Sequence, residues 1–153
     1  MKVHIDPTNE WIGDNGALVI ADALKVDRSL TSLTIDYIEI KGDGATAFAD
    51  ALMVNTSLKA LSLNCNSIGD SEAAAISNAL RQNITLLSLC LENNGIGTNG
   101  IVAIADYLQV NSSLKILRLV SNEFGDDGAV AIANALTANS SLKSLDLTSN
   151  AIG

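Results

Sequence analysis

The chain has 153 residues, enough for one ordinary core, and is 48% apolar but only 3% aromatic, so its interior is built from leucine, isoleucine and alanine. Seventeen acids against nine bases give a net charge of −8; this argues against nucleic acid or an anionic membrane as partner and leaves a basic protein surface allowed. No basic run occurs, no apolar run approaches the ~20 residues of a transmembrane helix, and the two cysteines, Cys65 and Cys90, fit neither a disulfide framework nor a metal spacing.

The start of the chain has no apolar segment of signal-peptide length, so cytoplasmic residence is expected, and free thiols suit a reducing compartment. From there the sequence repeats every 28 residues. The copies are 1–28, 29–56, 57–84, 85–112 and 113–140, with a partial copy at 141–153, and together they read as one domain over 1–153. The first copy is worn: Lys2, Ile5 and Pro7 stand where later copies have Leu, Leu and Leu or Ile. Its helix part, with Asp14, Ala17, Ile20, Ala21 and Leu24, is intact. The second copy keeps Leu30, Leu33 and Ile35 but has Ile38 for the usual Asn and Lys41 for the usual Gly. The turn there is expected to differ locally. The next copies are regular, as in Leu58, Leu61, Leu63, Asn66, Ile68 and Gly69.

Each copy pairs a strand with a helix. The period of two in Leu117–Leu119 gives a short strand with its leucines inward, and Ala129, Ile132, Ala133 and Leu136 make one helical stripe. Asp14, Asp70, Thr98 and Asp126 are expected to cap their helices, with Gly42 the weaker member. Asn55, Asn83, Asn111 and Asn139, with Asp27 in the first copy, are expected to end the helices. Strands stack about 4.8 Å apart while helices stay about 8–10 Å apart, so the stack bends with the strands inside. Small residues such as Ala21, Ala49, Ala105 and Ala133 are expected to keep the helices close.

The pattern L-x-x-L-x-L-x-x-N-x-I-G followed by a helix resembles the leucine-rich repeat, and the 28-residue length with the A-x-x-I-A-x-x-L helix resembles its ribonuclease-inhibitor-like subclass. The resemblance implies a right-handed curved α/β solenoid, with six parallel strands on the concave face and five helices on the convex face. It also implies that Asn66, Asn94, Asn122 and Asn150 bond backbone groups between turns rather than forming a site. The sequons at Asn55, Asn83, Asn111 and Asn139 follow from the repeat itself.

The register places His4, Ser32, Ala60, Ser88, Ile116 and Ser144 in one concave column and Asp6, Thr34, Ser62, Cys90, Arg118 and Asp146 in the next. Thr8, Asp36, Asn64, Glu92, Val120 and Thr148 follow, with Asn9, Tyr37, Cys65, Asn93, Ser121 and Ser149 at the rim. Interface anchors favour Trp, Tyr and Arg, so the candidate contact residues are Tyr37, Glu92, Ile116, Arg118, Val120 and Asp146. Arg118 has two readings: an anchor for a partner, or a charge satisfied by Asp146. Tyr37 is either an anchor or a patch on its turn, and Trp11 either a cover for the open end of the stack or an exposed anchor.

Catalysis has no support. His4 is the only histidine, Cys90 reads as a strand filler, the glycines are repeat punctuation, and no cofactor or metal motif is present. The expected function is a non-enzymatic module offering a concave surface to a protein partner. The alternative is a GTPase activator of the Ran-activating type working through strand-end loops, although residues 36–41, 64–69, 92–97 and 120–125 contain no arginine. The chain stops before the helix that a sixth strand needs, leaving Leu142, Leu145 and Leu147 half uncovered. A longer array or self-association through that edge strand is the matching expectation.

Overall fold

The computed structural model of the chain describes residues 1–5 and 12–153. Strand and helix alternate throughout: β1 (Lys2–Ile5), α1 (Gly13–Val26), β2 (Ser32–Ile35), α2 (Gly42–Val54), β3 (Ala60–Ser62), α3 (Gly69–Leu80), β4 (Ser88–Cys90), α4 (Thr98–Val110), β5 (Ile116–Arg118), α5 (Gly125–Ala138) and β6 (Ser144–Asp146). The six strands form one parallel sheet in chain order, and each helix packs on the next. This is the expected α/β solenoid. Leu61, Leu89 and Leu117 face one another across the ladder and are at most 2% exposed, with Ile76, Ile104 and Ile132 closing over them from the helices. Each such side chain contributes about 1.5–3 kcal/mol of burial. No helix of the described residues is long and apolar enough to cross a membrane.

The first copy departs from the expected register. Strands β2 to β6 pair at a 28-residue offset, as in Leu33↔Leu61, but β1 pairs at an offset of 30: Val3↔Leu33 and Ile5↔Ile35. Val3 and Ile5 supply the inward apolar pair that Ile5 and Pro7 could not. A slip of two residues leaves every side chain on its original face, so the pattern tolerates it. His4 consequently lies beside Thr34 rather than Ser32. Asp6, Pro7, Thr8, Asn9 and Trp11 lie outside the described residues.

The capping expectation also changes. None of the five helices is capped by a side chain of its own first turn. Asp14 Oδ1 instead accepts the Lys41 and Gly44 amides at the start of α2, at 2.7 and 3.2 Å. Asp70 Oδ1 accepts the Gly97 amide before α4 at 2.7 Å, and Asp126 Oδ1 accepts that of Gly153 at 3.0 Å. Thr98 Oγ1 donates to the Phe124 carbonyl, and Gly42 has no capping side chain. The acids thus cap forward, each satisfying the first amides of the following unit.

These bonds run in one direction at alternate turns because two turn types alternate. Gly13, Gly69 and Gly125, the first residues of α1, α3 and α5, have φ near +58° (56, 58 and 59°) and donate to the carbonyls of Ile38, Asn94 and Asn150 in the next unit. The equivalent residues Lys41 and Gly97 are extended, with φ of −129° and −91°. There the left-handed residue lies two positions earlier, at Glu39, Gly95 and Ala151. The turn at residues 36–41 therefore belongs to the second turn type, and Lys41 is acceptable because in that type the position has negative φ. Gly69→Ala is expected to cost about 1 kcal/mol, since a Cβ is disfavoured at φ +58°. Gly97→Ala is expected to be nearly neutral, its Cβ meeting only the Asp70 carboxylate at 3.4 Å. Urea unfolding of the pair checks this.

Two asparagine ladders bind the units. Asn122 Oδ1 accepts the amides of Asn94 and Ile96, while its Nδ2 donates to the carbonyls of Leu91, Leu119 and Val120. Asn66, Asn94 and Asn150 act similarly. The second ladder was visible only as helix ends. Asn55 and Asn83 donate to Leu24 and Leu52 in the preceding unit, and Asn139 to Leu108, while their Oδ1 atoms accept the amides opening the next strand. Asn55, Asn83 and Asn111 are at most 8% exposed, so the nitrogen a glycan would need is buried and engaged. Ala21, Ala49 and Ala105 are buried between helices as expected, but Ala133 is exposed on α5.

Candidate protein-interaction face

The outward side chains of the strands form a polar ladder that position Arg118. Asp36 Oδ1 accepts the Asn64 amide at 2.8 Å and the Ser62 hydroxyl at 2.7 Å. One strand on, Asn64 Oδ1 accepts the Glu92 amide at 2.8 Å. The pattern breaks at Glu92, whose carboxylate turns to Arg118 rather than to the Val120 amide, and Val120 itself offers no side-chain acceptor to Thr148. The Thr148 amide and hydroxyl turn instead to Asp146 Oδ1, at 3.1 and 2.7 Å. The Thr148 hydroxyl, then its amide, holds the Asp146 carboxyl below its ordinary pKa, with Arg118 adding to the effect.

Glu92 is left with a free carboxylate on the strand side nearest β5, and Arg118 takes it. Arg118 Nε stands 2.6 Å from Glu92 Oε1, while its nearest approach to Asp146 Oδ2 is 3.8 Å. The Arg118–Asp146 pairing, one of the two readings of Arg118, is present but long: Asp146 is engaged by Thr148, and the close ion pair is to Glu92. The Arg118 side chain remains 48% exposed, with its guanidinium between the two carboxylates. Partly exposed pairs of this kind contribute little to stability, about 0–1 kcal/mol; their effect here is to fix the arginine's direction.

Ile116 is exposed at 39% on the same face of β5, and Val120 is half-buried just beyond its end. The structure therefore gathers five of the candidate residues, Glu92, Ile116, Arg118, Val120 and Asp146, into one patch across β4 to β6. Tyr37 stands apart, three strands away or about 14 Å. It is 64% exposed, with φ +61°. Cys65, Asn93, Ser121 and Ser149 share that left-handed rim geometry, which the turn imposes. The Tyr37 phenol is raised above its ordinary pKa, first by its hydrogen bond with the Cys65 thiol. Cys90, opposite Arg118 on β4, is half-buried, and burial pushes its thiol up. That suits a filler better than a nucleophile.

A leucine-rich repeat family model matches residues 54–77, 82–105, 110–133 and 138–153. A solved structure titled leiomodin-1 actin-binding site 2 is similar at 27% identity with a TM-score of 0.77, covering 92% of this chain and 80% of that one. The tropomodulin C-terminal domain of Caenorhabditis elegans is similar at 15% identity with a TM-score of 0.72, covering 86% and 82%, a likeness of fold. No curated protein sequence matches.

Proposed function

The chain belongs to the leucine-rich repeat family, and on that premise we propose that it is a non-enzymatic protein-binding module whose concave face makes the contact at Arg118. The observation that carries this reading is the Arg118–Glu92 pair at 2.6 Å on an open sheet face, with Ile116 exposed beside it. A pre-oriented arginine next to an aliphatic side chain is the composition of an interface anchor, because little rotamer freedom is left to lose on binding. The face is acidic around this one cation, with Asp36, Glu92 and Asp146 in neighbouring columns, so it suits a partner surface of mixed polarity with basic groups at its rim.

Actin is the first protein to assay, since the leiomodin-1 structure is titled as an actin-binding site. Titration of the fluorescently labelled chain with monomeric actin is expected to saturate. Arg118→Glu is expected to weaken it at least tenfold, a loss of about 1.4 kcal/mol or more. Val130→Glu, on the exposed side of α5, is expected to leave it unchanged. Equal binding by wild type and Arg118→Glu would remove Arg118 from the contact. No binding by wild type would exclude actin.

A further inference from the structure

We propose that the edge where helices end and strands begin is a second docking surface, fitted to an acidic amphipathic helix of another protein. The chain is acidic as a whole, yet its bases gather on this edge. The connections from helix to strand, residues 27–31, 55–59, 81–87, 111–115 and 139–143, contain Arg28, Lys59, Arg81, Lys115 and Lys143 against the single acid Asp27. The described connections at the opposite edge, residues 36–41, 63–68, 91–97, 119–124 and 147–153, contain Asp36, Glu39, Glu92 and Glu123 against the single base Lys41. No basic run reveals this, because the bases recur at the repeat period rather than in sequence.

Helix dipoles account for the sign of the charge at this edge. They do not account for its apolar content. Ile84 is 76% exposed and Leu87 40%, and Val26, Val54 and Val110 at the helix ends are each more than half exposed. Lys59, Arg81 and Lys143 make no ion pair among the described residues, and Lys115 Nζ reaches only the Ser112 carbonyl, at 3.4 Å.

The order along the edge defines the occupant. Lys59, Leu87, Lys115 and Lys143 each immediately precede a strand, and their backbones are bonded in series: Leu87 N to Lys59 O, Lys115 N to Leu87 O and Lys143 N to Lys115 O, each at 2.8 Å. At the usual strand spacing they stand at about 0, 4.8, 9.6 and 14.4 Å along the edge. On a helix rising about 1.5 Å per residue, positions 1, 4, 8 and 11 fall at about 0, 4.5, 10.5 and 15 Å on one face. A helix with acids at 1, 8 and 11 and a leucine at 4 therefore meets every group in turn. An extended peptide, advancing about 3.3 Å per residue, does not keep its side chains on one face at these intervals.

The probe is a fluorescein-labelled helix-forming peptide in an alanine–glutamine background, carrying Glu at 1, 8 and 11 and Leu at 4, titrated with the full chain. Saturable binding that weakens at high salt is expected. The triple variant Lys59→Gln, Lys115→Gln, Lys143→Gln is expected to lose roughly tenfold in affinity, and Leu87→Ser severalfold more. A peptide of the same composition with those four residues spread around the helix is expected to bind at least tenfold more weakly. These residues are on the surface, and an unchanged circular dichroism spectrum confirms that the variants fold. Absence of saturation, equal binding of both peptides, or an unaffected triple variant would each overturn the proposal. So would tighter, lysine-dependent binding to phosphatidylserine vesicles or an oligonucleotide, which would give the edge a different class of partner. The assay involves no ligand of the concave face, so its outcome is independent of the Arg118 reading.

Discussion

Asn122→Ala is expected to lower the stability of the chain by about 3 kcal/mol. The side chain is 4% exposed, and its two polar atoms serve five backbone groups in two consecutive units. Alanine leaves the amides of Asn94 and Ile96 buried without an acceptor. An orphaned buried amide costs about 1–3 kcal/mol, whereas the Leu119 and Val120 carbonyls keep the Asn150 Nδ2 and Asn93 amide donors and that of Leu91 loses its side-chain donor. Asn122→Asp is expected to be at least as damaging. It keeps the acceptor but replaces the donor with charge facing the carbonyls of Leu91, Leu119 and Val120. Asn150→Ala, whose Oδ1 accepts only the Asn122 amide, is expected to cost less, about 1–2 kcal/mol. Urea unfolding measures the series. A loss below about 1 kcal/mol for Asn122→Ala would show that the ladder does not hold the units together.

The second large effect has the opposite sign from what helix propensity alone implies. Gly100 lies in the first turn of α4, where alanine is ordinarily worth up to about 1 kcal/mol. A Cβ at Gly100 meets Asp70 Oδ1 and Ile96 Cγ2 at 2.7 Å and the Asp70 Cα at 3.0 Å. Asp70 is the residue that caps the Gly97 amide. Gly100→Ala must therefore displace α3 from α4 or break the cap, and a loss of about 2 kcal/mol is expected. Gly42→Ala provides the contrast, since its Cβ meets nothing closer than Glu72 Oε1 at 3.6 Å, and it is expected to be neutral or mildly stabilising. Thermal unfolding of the two variants decides the point. A stabilised Gly100→Ala would mean that close approach of the helices is not what the glycine serves.

The sequence makes the scaffold legible because inward leucines and helical stripes depend only on local period. Leu61, Leu89 and Leu117 could be placed without a structure for that reason. What it hid are the relations between units. Asp14 looks like the cap of α1 when only its own helix is considered, but one unit's acid lies beside the next unit's open amides. Lys41 looks like an error against a one-repeat consensus and becomes regular once alternate turns are compared, whereas Ile38 still interrupts the asparagine ladder, present at Asn66, Asn94, Asn122 and Asn150. The first strand's slip escaped notice because a two-residue shift preserves both faces. At the candidate site, the columns placed Glu92, Arg118 and Asp146 on adjoining strands, but the choice of partner depended on Thr148 engaging Asp146. The basic edge was missed because its charges are separated by whole repeats.

The contact face can be tested in one spectrum. Methyl groups report from every surface: Ile116 and Val120 from the concave face, Val102 and Val130 from the helices, Ile84 and Leu87 from the basic edge. Unlabelled monomeric actin is added to the methyl-labelled chain and the methyl resonances are followed. The account predicts that Ile116 and Val120 shift or broaden while Val102 and Val130 stay in place. Shifts confined to Val102 and Val130 would place the contact on the helices and contradict a concave interaction face.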